Sequence, residues 1–386
     1  MTVRVAVYLD QAYWRVDAAV VAERSFVLFL NHVATHFEEF AVIGRLSRDP
    51  PRGTYALAPD IRFVALPEYP GGGADALGVA RVLPASLARV AGVLLATDVL
   101  WLFGPGPLAL AIAGLAVASR TPTVLGVRQY LPAYARSRHP ERRAVHVAAD
   151  AMEAGFRALA RRRPAVVVGP DLARRYRRSR SLLAVTVSLI SQADIVSASA
   201  AAERRYDGEL LVLVVSRLDR EKNPLLLADA FARLTPDPRW RMVICGDGPL
   251  RGALQEHVDA LGLGDRVTLR GHVPLHDGLL ALYRRAHVFL HVSWTEGLPQ
   301  VLFEAFAAGL PVVATDVGGV AEAAGEAALL IPSGDADAAA RALARVADSQ
   351  DLRVKLVTRG LELAAGHTVE HEATAVASFL TAAAAR

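Results

Sequence analysis

Apolar residues arrive along this chain in short unbroken runs, each followed by a longer stretch in which they recur every three or four positions. In the first half the runs are residues 3–9, 40–44, 61–66, 99–103, 123–127, 165–168 and 182–189. Residues 25–37 carry a helical pattern, and the segment from Asp10 to Arg15 between the first run and that helix reads as a loop. Nearly continuous apolar runs, as opposed to alternating ones, belong to strands of a parallel sheet covered on both faces. The pattern predicts a doubly wound α/β domain. After the small-residue stretch 197–202 it restarts at 210–215 and repeats at 242–245, 267–269, 288–291, 311–314 and 328–331, which predicts a second such domain. The domains are therefore expected at 1–195 and 209–365, joined by a linker at 196–208, with an Ala-rich helix closing the chain at 366–386.

Length agrees with two domains, since 386 residues exceed what one hydrophobic core usually serves. The one apolar run that approaches a membrane span, residues 99–119, is cut by Gly104-Pro105-Gly106-Pro107. A strand followed by a short buried helix over 108–118 explains it better than a span. A single cysteine, Cys245, excludes a disulfide framework and fits a reducing cytoplasm; it is expected in a buried strand. The first ten residues read as a strand and are too short for the apolar part of a signal peptide.

Net charge is only +4, yet residues 136–180 hold thirteen arginines against Glu141, Asp150, Glu153 and Asp171. Such a segment is either a solvated helical face or a docking surface for an anionic acceptor or a membrane. It lacks the interleaved aromatics of a nucleic-acid surface, so no nucleic-acid partner is expected.

Two segments carry candidate chemistry. In the first, Glu296 and Glu304 flank Gly297-Leu298-Pro299-Gln300-Val301-Leu302-Phe303. If Pro299 opens a helix, Glu296 lies in the preceding loop and Glu304 inside the helix, and both carboxylates face one ligand. The N–H groups around Gln300 to Leu302 then favour an anion such as phosphate. Glu304 stands among Phe303, Ala305, Phe306 and Ala307, where a carboxylate needs a partner. The second segment, Ser216 to Pro224, places Arg217 and Lys222 in a strand-to-helix turn, one as a fork and one as a point charge suited to a diphosphate.

Together with Gly246-Asp247-Gly248-Pro249 and Gly271-His272-Val273, these segments resemble the family-four retaining glycosyltransferases of the GT-B fold, closely over 210–332. The resemblance implies two Rossmann-like domains facing across a cleft and a last helix crossing back to the N-terminal domain. It implies transfer of a hexosyl-type sugar from a nucleoside diphosphate sugar to a hydroxyl acceptor, as in bacterial polysaccharide or glycoconjugate synthesis. Arg217 and Lys222 are then expected to bind the donor diphosphate. Glu304 is expected to accept from the ribose hydroxyls, and Glu296 to lie beside the donor sugar. Backbone groups of Gly297, Leu298, Pro299 and Gln300 are expected at the sugar, those of Val301 and Leu302 at phosphate, and that of Val273 at the base. No cofactor and no metal are expected. Asp335-Ala336-Asp337 matches a metal-binding pattern of another glycosyltransferase fold, but its place before an Ala-rich helix predicts a cap. The protein is expected in the cytoplasm, with peripheral membrane contact through residues 136–180 as one role for the basic segment.

The chain departs from the family at two places. The loop after the first strand has no glycine, and the position of a common histidine after residues 123–127 is taken by Arg128. Arg128 suits a donor or acceptor bearing a carboxylate, or a local acid partner. Competing readings are a GT-B phosphorylase or sugar-phosphate synthase, and a non-catalytic protein that binds lipid or polymer. A Rossmann oxidoreductase requires Gly-x-Gly-x-x-Gly after the first strand, which neither domain supplies.

Overall fold

The computed structural model describes residues 3–50, 55–69 and 76–385, so Met1, Thr2 and Arg386 of the expected terminal elements lie outside the described residues. The chain divides into two compact units, one of residues 1–187 with 369–386 and one of residues 188–368.

The first unit holds strands β1 (Arg4–Val16), β2 (Ala19–Ala22), β3 (Glu39–Leu46), β4 (Tyr55–Ala56), β5 (Arg62–Leu66), β6 (Val99–Gly104), β7 (Thr123–Val127), β8 (Ala165–Val168) and β9 (Leu182–Val185). The parallel core runs β5-β3-β1-β6-β7-β8-β9, with β2 and β4 added antiparallel at the end of β1. The helices Phe26–Ala34 and Pro107–Ala118 are among those that cover it, and Leu108, Ile112, Leu100, Leu102 and Phe156 are fully buried in one cluster. Burying each such side chain contributes about 1.5–3 kcal/mol.

The segment expected as a loop after the first strand is instead strand. β1 breaks register between Tyr8 and Ala12, re-pairs Ala12 and Tyr13 with Arg45 and Leu46 of β3, and turns back through Asp17 at φ 52° into β2. A bulge of this kind re-aims side chains. Here it buries Gln11 and Tyr13 although no apolar run announces them. β9 stops at Val185, short of the expected 189, because residues 186–190 are buried without pairing as a strand.

The helix Val369–Ala384 packs on the helix Phe26–Ala34 and on β6, β7 and β9 of the first unit, burying Val369, Ala373, Val376, Ala377 and Leu380. Their spacing by three and four residues is one face of a helix.

The expected linker at 196–208 does not stand between units. The division falls between Val187 and Ser188, and 196–208 is bonded onto the second unit. The Val196 N–H donates to the Ala307 carbonyl at 2.9 Å, Arg204 to the Ala308 carbonyl at 3.0 Å, and the Tyr206 hydroxyl to the His287 carbonyl at 2.8 Å. Small residues there serve close packing: Ala201 lies where a Cβ on Gly309 would come within 2.6 Å.

The second unit is a six-stranded sheet of β10 (Leu210–Val215), β11 (Trp240–Cys245), β12 (Val267–Gly271), β13 (Val288–His291), β14 (Val312–Thr315) and β15 (Ala328–Ile331). The order is β12-β11-β10-β13-β14-β15, parallel at every pairing. The first strand thus has its successors on one side and the fourth strand on the other, which makes the carboxyl ends of β10 and β13 the topological switch point. Cys245 closes β11, buried as expected, and burial pushes its thiol up to about 11.

The arginine-rich segment forms the helices Leu131–Arg138, Arg143–Ala160 and Pro170–Arg175. Ala149, Glu153, Phe156 and Ala160 face inward, and Glu153 accepts from the buried Tyr176 hydroxyl at 2.9 Å. Asp150 pairs with Arg136 and Asp171 with Arg175, each at 2.7 Å. Arg142, Arg143, Arg161 and Arg162 are exposed, with no carboxylate partner among the described residues, and the exposed Arg157 acts on the Glu153 carboxyl.

Candidate functional site

The site in the second unit begins with two turns locked together. After β10, Ser216-Arg217-Leu218 lies against Gly246-Asp247-Gly248 after β11, with the Leu218 N–H donating to the Asp247 carbonyl at 2.9 Å and the Leu250 N–H to the Leu218 carbonyl at 3.0 Å. Gly246 sits at φ 139°, and a Cβ there would come within 1.8 Å of the Ser216 carbonyl oxygen. Only glycine fits both the conformation and the approach. A 3₁₀ turn, Arg220–Lys222, follows; Asn223 at φ 51° then redirects the chain into the helix Leu225–Ala232.

This turn brings Arg217 and Lys222 to the switch point but gives them different settings. The Arg217 side chain is 62% exposed and pairs with Asp219 at 2.5 Å and with Glu221. The Lys222 side chain is only 15% exposed and pairs with Glu296, itself 9% exposed, in the loop after β13.

Glu296 is the centre of a buried cluster. Its Oε1 receives Lys222 Nζ, the Ser293 hydroxyl at 2.8 Å and His291 Nε2 at 3.0 Å, whereas no described residue donates to Oε2. Thr315 fixes the loop by donating to the Ser293 carbonyl at 2.8 Å, and Gly318 at φ 55° leaves room for the Glu296 carbonyl. Burial raises the carboxyl, but the His291 hydrogen bond and the Lys222 charge outweigh it and bring it down to about 2. Glu296 is therefore a fixed anion at neutral pH, with one oxygen committed to the protein and one open.

Glu304 has the opposite character. It stands inside the helix Gln300–Ala307, 7% exposed, and accepts from the Tyr283 hydroxyl at 2.8 Å. Burial pushes its carboxyl up to about 7 against that hydrogen bond, and burial pushes Tyr283 well above the ordinary phenol range. Pro299 occupies the position before the first helical residue, one place earlier than expected, and Leu302 donates to the Pro299 carbonyl at 3.2 Å. The N–H of Leu302 is thus committed within the helix; those of Gln300 and Val301 remain at its open end.

Gly297 is exposed and Leu298 and Gln300 half-buried in the same loop, and Val273 follows β12 on the far side of β10, half-buried. Trp294, 51% exposed, leads into the loop; its N–H donates to the Glu221 carbonyl at 2.8 Å, which ties the acidic loop to the cationic turn. Arg128 is in the first unit, directly after β7. Asp335 caps the helix Ala336–Asp348 by accepting from the Ala338 N–H at 2.8 Å, and Asp337 pairs with Arg233. Among the described residues no three His, Cys, Asp or Glu side chains are grouped to hold a metal ion.

Sequence reasoning missed His291, Ser293 and Tyr283. His291 and Ser293 end an apolar strand, a place where polar residues in a parallel sheet point to a site. Tyr283, in the helix Leu280–Arg285, carries no signal of its own.

Comparison with known proteins follows this geometry. Residues 197–362 match the family model for glycosyl transferases, group 1. The chain is similar to the alpha-D-kanosaminyltransferase of Streptomyces kanamyceticus, 28% identical over 296 residues that cover 75% of this chain and 71% of that one. It is also similar to the phosphatidylinositol N-acetylglucosaminyltransferase gpi3 subunit of Schizosaccharomyces pombe, 40% identical over 114 residues or 29% of this chain. The match spans only 25% of that relative's length. Among solved structures, that of Anabaena Alr3699/HepE in complex with UDP has a TM-score of 0.72 at 18% identity, covering 98% of this chain and 100% of that one. At that identity the likeness speaks to the fold, which is GT-B. The fold is GT-B, and the match to the group 1 glycosyl transferase model falls on the unit that holds Arg217, Lys222, Glu296 and Glu304.

Proposed function

We propose that the protein is a retaining, metal-independent glycosyltransferase that moves a hexosyl-type sugar from a nucleoside diphosphate to an acceptor hydroxyl. The observation that carries this reading is two carboxylates of opposite character and two cations in the segments that follow β10 and β13: Glu296 held ionised and paired with Lys222, Glu304 buried beside Tyr283, and Arg217 in the same turn as Lys222. The structure described as HepE in complex with UDP supports a nucleoside diphosphate as the ligand class.

In this mechanism Arg217 exchanges part of its carboxylate pairing for the diphosphate, Lys222 turns its remaining N–H groups to it, and both stabilise the charge that grows on it as the glycosidic bond breaks. Glu304 accepts from the ribose hydroxyls. Glu296 uses its open Oε2 for a sugar hydroxyl while Oε1 stays anchored to Lys222, His291 and Ser293. Held down to about 2, Glu296 has no proton to give near neutral pH, so it orients and polarises and is not a general acid. Deprotonation of the incoming hydroxyl then falls to a donor phosphate oxygen on the same face of the sugar. Backbone groups of residues 297–301 and of Val273 complete the donor site. The exposed arginines of 142–162 support peripheral contact with an anionic membrane surface, which flotation with vesicles of anionic and neutral lipid tests.

The deciding experiment is a thermal-shift and calorimetric screen with UDP-, GDP- and dTDP-sugars, followed by detection of nucleoside diphosphate release with alcohol acceptors and with phosphate. Binding of a donor at 100 times its dissociation constant adds about 2.7 kcal/mol of stability. Absence of any shift, or turnover only with phosphate as acceptor, would overturn the assignment.

A further inference from the structure

The first unit has its own switch point, between β1 and β6, whose carboxyl ends meet that of β7. Three observations fall there. Gln11, only 7% exposed, and the fully buried Tyr13 hydroxyl lie beside one another, and among the described residues neither has a hydrogen-bond partner outside this pair. Buried polar groups with so few partners are costly to keep in a core. Arg128 lies over the rings of Phe26 at 4.3 Å and Phe103 at 5.7 Å, with Tyr13 within reach of its charge. Arg24 stands near enough to repel it, and no carboxylate pairs with either arginine among the described residues.

The local acid that was a candidate partner for Arg128 is therefore not found among the described residues. The neighbouring cation shows the contrast: Arg45 pairs with Asp10 at 2.8 Å and donates to the Tyr69 carbonyl at 2.8 Å, so its charge is answered within the fold. Stacking on two aromatic faces holds a guanidinium plane while leaving its in-plane N–H groups for a planar or tetrahedral anion. Two uncompensated cations and a buried amide with no partner beyond the Tyr13 hydroxyl complement a ligand that carries negative charge next to hydroxyls.

We propose that Arg128, Arg24, Gln11 and Tyr13 form a binding site for the carboxylate or phosphate of an anionic small molecule, a sugar acid or a sugar phosphate. The site belongs to the first unit alone and does not depend on the donor reading of the second.

The test is calorimetric titration of the full chain with glucuronate, glucose 6-phosphate and glucose, repeated on Arg128→Gln, Arg24→Gln and Lys222→Ala. One of the two anions is expected to bind while glucose does not, which also tells carboxylate from phosphate. Binding is expected to weaken at least tenfold in each arginine variant and to persist in Lys222→Ala. Arg24 is exposed, so its variant carries the test even if Arg128→Gln does not fold. Neither anion binding better than glucose, binding that survives both arginine substitutions, or binding lost with Lys222→Ala overturns the proposal. UDP titrated into the same proteins reads the second unit separately, so failure of one reading is not mistaken for failure of the other.

Discussion

The hydroxyl of Tyr283 donates to Oε2 of Glu304 at 2.8 Å with both side chains buried in the second unit. Burial still prevails over that bond, and the carboxyl sits at about 7, above its ordinary 4.5. A carboxyl raised by folding contributes stability that is full below the ordinary range and is lost as pH rises through the raised value. Wild-type stability from this group should therefore decline between pH 4.5 and about 7, by an amount on the order of 3 kcal/mol. In Glu304→Gln the decline should vanish. Urea denaturation of both proteins at pH 5 and pH 8 checks this, and equal slopes would show that Glu304 ionises as freely as a surface carboxyl.

The same titration should govern donor binding. Ionised Glu304 accepts from two ribose hydroxyls better than its neutral form, so UDP affinity should rise as pH climbs through about 7. In Glu304→Gln the affinity should be about tenfold weaker at pH 8, roughly 1.4 kcal/mol, and flat with pH. Calorimetry from pH 6 to pH 8.5 is the measurement.

Tyr283→Phe removes the one hydrogen bond that lowers the Glu304 carboxyl. The midpoint of the pH dependence of UDP binding should move upward, with affinity at pH 9 close to that of the wild type. A midpoint that stays in place would mean that the phenol has no hold on the proton.

The two cations should separate in their effects on stability. Arg217→Ala removes an exposed pairing and should change the melting temperature little, because exposed ion pairs contribute about 0–1 kcal/mol. Lys222→Ala leaves Glu296 buried without its counter-charge and should lower stability by a few kcal/mol, on the order of 3. Both should weaken donor binding by about 1.5–3 kcal/mol, roughly ten- to a hundredfold. Thermal denaturation alongside UDP calorimetry distinguishes the two patterns.

Chelation is a further check on the phosphate clamp. Turnover should persist in excess EDTA if Arg217 and Lys222 neutralise the leaving diphosphate. Loss restored by magnesium or manganese would assign that role to a metal.

Much of this architecture was legible because parallel strands covered on both faces leave continuous apolar runs, as at Leu210–Val215 and Val99–Gly104. The extension of β1 through Gln11 and Tyr13 was not. Its polar residues are buried by a bulge and by pairing with Arg45 and Leu46, distant in sequence, and no local pattern records that. In the candidate site, Glu296, Glu304, Arg217 and Lys222 could be read from spacing and turn chemistry. Tyr283 and His291 could not, since each lies in an apolar stretch where an aromatic ring or imidazole reads as core, and only the fold aims them at Glu304 and Glu296. The difference between Arg217 and Lys222 was hidden for the same reason: the turn placed both, but their burial depends on the loop after β13.

The helix Val369–Ala384 belongs to the core of the first unit although it is made after the second. As the chain leaves the ribosome, residues 188–368 are complete before the first unit has its closing helix. At about 5–20 residues per second, the face of the first sheet that receives Val376 and Leu380 waits roughly ten to forty seconds for its cover. The second unit is thus the one equipped to mature first, and the first, although synthesised earlier, is the one whose apolar surface a chaperone would have reason to shield.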